Sequence, residues 1–188
     1  MARPRSEDRR NAIMAAAAEL IAELGLGAST AEIAKRAGVP HGSIFTYFDT
    51  KADLLNAVYL DLKSELTQVV LAEMPATSDM GARLRHLWTT WTHWGATNPT
   101  RRRALAQLSV SDQITEASRL SAYEEAAECV ELIREASAKG ALKDAPGPYV
   151  GALVEAMTTT TIDFMIREPA RADDVCTSGF EALWRALR

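Results

Sequence analysis

Between Ser29 and Lys51 the chain reads STAEIAKRAGVPHGSIFTYFDTK, a stretch whose side chains donate hydrogen bonds and charge but lack the means to turn over a substrate. The hydroxyls of Thr30 and Ser43 and the ammonium of Lys51 converge on one face. A threonine in the first turn of a helix offers both its hydroxyl and its backbone N–H to a phosphate oxygen. Upstream, Arg3, Arg5, Arg9 and Arg10 stand against only Glu7 and Asp8, a short basic arm of the kind that reaches a phosphate or a minor groove. Chemistry of the catalytic kind is missing. There is no nucleophile–base pair, no carboxylate pair beside a glycine-rich loop and no metal-ligand spacing, so an enzyme is not expected. His86 and His93 are seven positions apart with no acidic partner nearby, and Cys129 and Cys176 are the only cysteines. Neither set builds a zinc site or a disulfide framework, and no cofactor or metal is expected.

The elements that must position these groups are helices. Ser29 with Glu32, and Thr50 with Asp53, each spell a capping box, in which hydroxyl and carboxylate satisfy the first backbone N–H groups of a helix. Between them Gly38-Val39-Pro40 separates two short amphipathic segments. Ile33, Ala34 and Ala37 share one face of the first, and Ile44 and Phe48 one face of the second. That is a helix-turn-helix, whose second helix can lie in a DNA groove. Ahead of it, Ile13, Ala17, Leu20, Ile21 and Leu24 recur at helical spacing, and Gly25 sits where a left-handed cap belongs. Behind it, Leu54, Leu55, Val58, Leu62, Leu66, Val69 and Val70 mark a long helix running from Lys51 to about Met74.

The remainder is helical as well, since no stretch alternates with the period of a strand. Met74-Pro75-Ala76-Thr77-Ser78 breaks the pattern. Helices follow over about 79–96, from Pro99, over about 114–139, 148–167 and 172–187, which makes about nine in an all-α chain. The bulk properties agree: 47% hydrophobic, 6% aromatic and a formal charge of −4, so the whole chain is no polyanion binder by net charge. The apolar run from Ala12 to Ala18 is stopped by Glu19, too soon for a membrane span or a signal peptide, which points to a cytoplasmic protein.

The run Gly27-x-x-Thr30-x-x-Ile33-Ala34-x-x-Ala37-Gly38-Val39, followed by Gly42-Ser43-Ile44-Phe45-x-Tyr47-Phe48-x-x-Lys51-x-x-Leu54-Leu55, resembles the N-terminal domain of TetR-family transcriptional regulators. The resemblance covers about Arg5 to Tyr59. It implies a homodimer whose residues 1–52 form a helix-turn-helix DNA-binding domain and whose residues 53–188 form a helical ligand-binding and dimerisation domain. A small molecule bound there would release a palindromic double-stranded operator. The positions it carries over to DNA are Arg5, Thr30, His41, Gly42, Ser43, Phe45, Thr46, Tyr47 and Lys51. His41 or Thr46 would reach base edges, while Ser43 and Tyr47 would touch phosphate. Two positions depart from the family. Phe45 stands where a tyrosine is usual, which removes a phenolic hydrogen bond, and Pro40 replaces a Ser or Thr cap.

The helix over 79–96 carries Trp88, Trp91 and Trp94, with His86 and His93 on its other side. Apolar walls with a few polar groups suit a pocket for a small apolar or aromatic effector. Trp88, Trp91 and His93 are the candidates on this helix, joined by Met157, Thr161 and Phe164 further on; a plain core is the competing assignment. The last two helices are the expected dimer surface, because Phe180, Leu183, Trp184 and Leu187 form an apolar stripe. The alternative is that this stripe packs within its own subunit. The alternative for the whole chain is a helical scaffold whose head meets protein rather than DNA.

Overall fold

The computed structural model describes residues 3–188, with side chains from Ser6 onward. The expectation that Arg5 touches DNA therefore lies outside the described side chains. All regular structure among the described residues is helical: α1 (Arg3–Leu24), α2 (Thr30–Ala37), α3 (His41–Tyr47), α4 (Lys51–Leu71), α5 (Met80–Thr97), α6 (Pro99–Ser109), α7 (Glu116–Glu125), α8 (Ala127–Ser137), α9 (Gly147–Arg167) and α10 (Ala172–Leu187). The expected seventh helix is two, broken at Ala126 (φ −87°, ψ 11°), which raises the number from nine to ten. Neither proline nor glycine marks that break. The long helix ends at Leu71 rather than Met74, because Glu73 takes a left-handed φ of 56°. The Met74 N–H returns to the Leu71 carbonyl at 3.3 Å. The His86 ring nitrogen Nε2 bonds the carbonyls of Val70 and Ala72 at 3.1 and 3.0 Å, covering groups that a helix end leaves orphaned.

Two compact units form, and neither is one continuous segment. The first comprises residues 1–64 and 99–122, the second residues 65–98 and 123–188. The expected division at 52/53 followed the chain; packing does not. In the first unit α6 lies against α1, burying Ala104, Leu105 and Leu108, and the Gln107 amide donates to the Ile21 carbonyl at 2.9 Å. Asn56 on α4 ties in the segment before α7, donating to the Gln113 carbonyl at 2.9 Å and accepting from the Thr115 N–H at 2.9 Å. Ile13, Ala17, Leu20, Ile21, Ile33, Ile44, Phe48, Leu54, Leu55 and Val58 are buried as their spacing requires, each large one worth roughly 1.5–3 kcal/mol on transfer from water. Leu24, the last residue of the α1 stripe, is exposed instead.

The second unit is built around Trp88 of α5, which has no exposed surface and donates its indole N–H to the Cys176 carbonyl of α10 at 2.9 Å. Gly179 makes that approach feasible. A Cβ there would stand 2.6 Å from Trp88 Cζ2 and 2.7 Å from Thr161 Oγ1. The stripe expected to form a dimer surface is corrected here. Phe180, Leu183 and Leu187 are buried within the unit, and the Arg85 guanidinium lies 4.0 Å from the Phe180 ring centroid. Only Trp184, stacked on Phe180, remains half-buried. The stripe faces inward because α9 and α5 both pack on α10 and need an apolar partner. Both cysteines are free thiols; burial, with the Glu128 carboxylate adding, pushes the Cys129 thiol up to about 11. No helix among the described residues is long and apolar enough to cross a membrane.

Candidate nucleic-acid interface

Local chemistry sets up the donor-bearing face of the first unit. Ser29 caps α2: its Oγ accepts from the Glu32 N–H at 3.2 Å, while the Ser29 N–H donates to the Glu32 carboxylate at 2.8 Å. The backbone N–H and hydroxyl of Ser29 hold the Glu32 carboxyl below the usual carboxylate range. This places Thr30 as the first residue of α2, with its hydroxyl 3.0 Å from Nε2 of His41, the first residue of α3. Gly38, at φ 68°, ends α2 and gives its N–H to the carbonyls of Ala34 and Lys35. Pro40 then precedes α3 without a side-chain cap, its carbonyl accepting from the Ser43 N–H at 2.8 Å. On the other side of α2, Arg36 binds Glu19 at 3.0 Å and Glu23 at 2.8 Å, locking α2 to α1.

Along α3, Ile44 is buried while His41, Gly42, Phe45 and Thr46 are exposed, one strip along the outward face. The rings of His41 and Phe45 meet edge to face at 5.7 Å, and Phe45 keeps 46% of its surface in solvent. A Cβ at Gly42 would find no atom within 4 Å, so that flank is open. Ser43 and Tyr47 are half-buried at the edge of the strip, and Phe48 is core with the Arg10 guanidinium 5.3 Å over its ring. Lys51 is half-buried too, and its ammonium donates to the Leu26 carbonyl at 2.7 Å, tying α4 to the turn after α1. An ammonium has three N–H groups, so two remain after that bond. Thr30, His41 and Phe45 are thus drawn together by direct contact. The bond between Thr30 and His41 had no signature in the sequence, because two residues eleven apart on different helices share no periodicity.

The candidate effector residues do not form one set. Thr161 and Phe164 of α9 line an open depression of about 380 Å³ against Val175, Ser178 and Gly179 of α10, with Arg171 and Asp174 at its rim. Trp88 lies behind Gly179 in the core with its only polar group already bonded. Trp91 and Met157 are half-buried and His93 is exposed, its Nδ1 bonded to the Thr89 carbonyl at 2.8 Å. None of these three lines that depression.

The profile of the bacterial regulatory proteins of the tetR family matches residues 13–58. A transcriptional repressor of Mycobacterium tuberculosis, Rv3405c, is 41% identical over 81 residues, a match spanning 43% of this chain and 43% of that protein. The crystal structure of a TetR-family transcription regulator from Shewanella sp. PV-4 superposes with a TM-score of 0.85 at 26% identity, covering 95% of this chain and 97% of that one. The TetR-like regulator LfrR of Mycobacterium smegmatis, solved in complex with proflavine, shares the fold with a TM-score of 0.69 at 17% identity over 94% of this chain and 95% of that one. The head thus matches the tetR-family profile by sequence, and the chain shares the fold of TetR-family regulators along its length.

Proposed function

We propose that this protein is a homodimeric, DNA-binding transcriptional regulator, a repressor that a small apolar or aromatic effector releases from a palindromic operator. The outward strip of α3 carries the reading: His41, Gly42, Phe45 and Thr46 stand exposed on a short helix whose buried side is fixed by Ile44. Thr30 adds a phosphate donor beside His41, and Ser43, Tyr47 and the remaining N–H groups of Lys51 add positions at the edge. Arg5 joins them as the basic arm.

The effector would bind in the second unit at the depression lined by Thr161 and Phe164; Trp88 backs it from the core behind Gly179, and Trp91, His93 and Met157 lie outside it. The bound proflavine of LfrR is an example, in that protein, of a flat aromatic ligand in this fold. The dimer would form through the outer faces of α9 and α10; Tyr149 and Ile166 of α9 are exposed and Trp184 of α10 is half-buried. Helix α4 passes from one unit into the other, which gives a ligand-induced shift a covalent route to the head. Recognition helices must sit about 34–36 Å apart to meet successive turns of DNA, so spreading them weakens binding.

Footprinting on DNA flanking the protein's own gene, with and without candidate aromatic compounds, tests this directly. The expected result is a protected palindrome whose protection falls as compound is added and as salt rises. Association that ignores salt would favour a helical scaffold with a protein partner.

A further inference from the structure

We propose that His41 is a positioning residue for the Thr30 hydroxyl, so that the two engage a DNA phosphate as one proton-sensitive unit; this rests on the duplex-binding reading above. Thr30 Oγ1 and His41 Nε2 lie 3.0 Å apart, held from two different helices. A threonine hydroxyl has one hydrogen, which allows two arrangements. In one, the hydroxyl donates to a bare Nε2 and has no hydrogen left for another acceptor. In the other, an Nε2–H donates to the hydroxyl oxygen, and the hydroxyl hydrogen is free. A phosphate oxygen only accepts, so contact with Thr30 selects the second arrangement.

The ring reaches that arrangement in two ways. A neutral imidazole must be the Nε2–H tautomer, whereas an imidazolium has a hydrogen on both nitrogens and always donates. Taking up a proton from solvent therefore frees the Thr30 hydrogen and brings a positive charge to the same phosphate. Histidine is the side chain whose charge ordinarily changes between about pH 5 and 8, so acidification across that range is the lever.

The neighbouring charges are committed elsewhere or exposed to solvent. On α2, the helix packed against α3, Glu32 is held by Ser29, Arg36 is bound to Glu19 and Glu23, and Lys35 is solvent-exposed. Tyr47 is the other titratable group of α3, Asp49 is exposed in the turn after it, and Asp53 is bonded to Thr50. Arg10 lies over Phe48, and the Lys51 ammonium rests on the Leu26 carbonyl. The Phe45 and His41 rings meet edge to face, and Nε2 lies against the Thr30 hydroxyl.

The test uses the full chain and a mixed-sequence duplex at low salt, where phosphate contacts dominate. Fluorescence anisotropy at pH 8 and pH 6 is expected to show the native affinity rising roughly threefold to tenfold per head on acidification, the size of a linked proton uptake. T30V and H41A each weaken binding at pH 6, H41A abolishes the pH dependence, and T30S restores the native behaviour. The double variant loses no more than the larger single loss, as expected of groups acting together. Imidazole nitrogen shifts of the native protein, read by NMR, report a protonated Nε2 in the complex and need no variant. A pH dependence that persists in H41A, two single losses that multiply, or a bare Nε2 in the complex overturns the pairing while leaving DNA binding intact. A native protein that binds no duplex at either pH overturns the DNA reading, and the pairing with it.

Discussion

At Gly38 one backbone torsion lets the chain turn from α2 into α3. Its φ of 68° allows its own N–H to reach Ala34 and Lys35, and the Val39 N–H to reach the Ala34 carbonyl at 3.0 Å. A Cβ added there would touch nothing within 4 Å, so the cost of a side chain is conformational alone. Gly38→Ala is expected to destabilise the first unit by about 1–2 kcal/mol, and Gly38→Asn by less, because Asn tolerates the left-handed region. Urea unfolding of the two variants beside the native chain measures both. Gly179 is required for the opposite reason: its torsion is ordinary and its space is taken by Trp88 and Thr161.

At the scale of the element, the two capping boxes are where local chemistry alone decides. Ser29 with Glu32 and Thr50 with Asp53 close as their four-residue patterns require, the Thr50 N–H donating to Asp53 at 2.9 Å and the Asp53 N–H to Thr50 Oγ1 at 3.1 Å. The hydrogen bonds from Ser29 depress the folded-state titration of Glu32, and the Arg36 guanidinium does the same to Glu23. A depressed carboxyl contributes stability above its unfolded titration point and loses that contribution as pH falls through the folded one. The melting temperature of the native chain is therefore expected to drop below about pH 4.5. That drop should be smaller in E32Q and E23Q, which start lower at neutral pH; thermal melts from pH 7 to pH 3 check both.

Signals of this kind explain what was legible in the amino-acid sequence. The caps, the glycine stops at Gly25 and Gly38, and the proline that opens α6 each act through groups within a few residues. The exposed strip of α3 was legible too, since Ile44 and Phe48 leave only one face outward. What stayed hidden depends on distant pairing. The stripe of α10 is apolar whether it meets a second copy or its own α9 and α5, and only packing distinguishes them. The break at Ala126 has no local marker, and the bond between Thr30 and His41 needs two helices already in place.

At the scale of the molecule, the first unit borrows residues 99–122 from beyond the long α4 and α5. Without α6, the face of α1 that meets Ala104, Leu105 and Leu108 loses its cover, and the Ile21 carbonyl loses its Gln107 donor. A fragment ending at Ser64 is expected to lack a cooperative thermal transition by circular dichroism, although it contains every helix of the proposed DNA-reading head. The native chain should show one. A sharp melt of the fragment would mean that α6 is dispensable to the head.

That borrowed segment also gives the protein a timetable. A ribosome releases α1, α2 and α3 first, yet the piece that completes their core is translated up to 58 residues later, counting from Ser64 to Ala122. At about 5–20 residues per second the nascent head waits roughly 3–12 seconds with one side of α1 uncovered. During that interval it has an apolar face to shield. The head of a newly made molecule is therefore completed only after the first stretch of its second unit, residues 65–98, has also been synthesised.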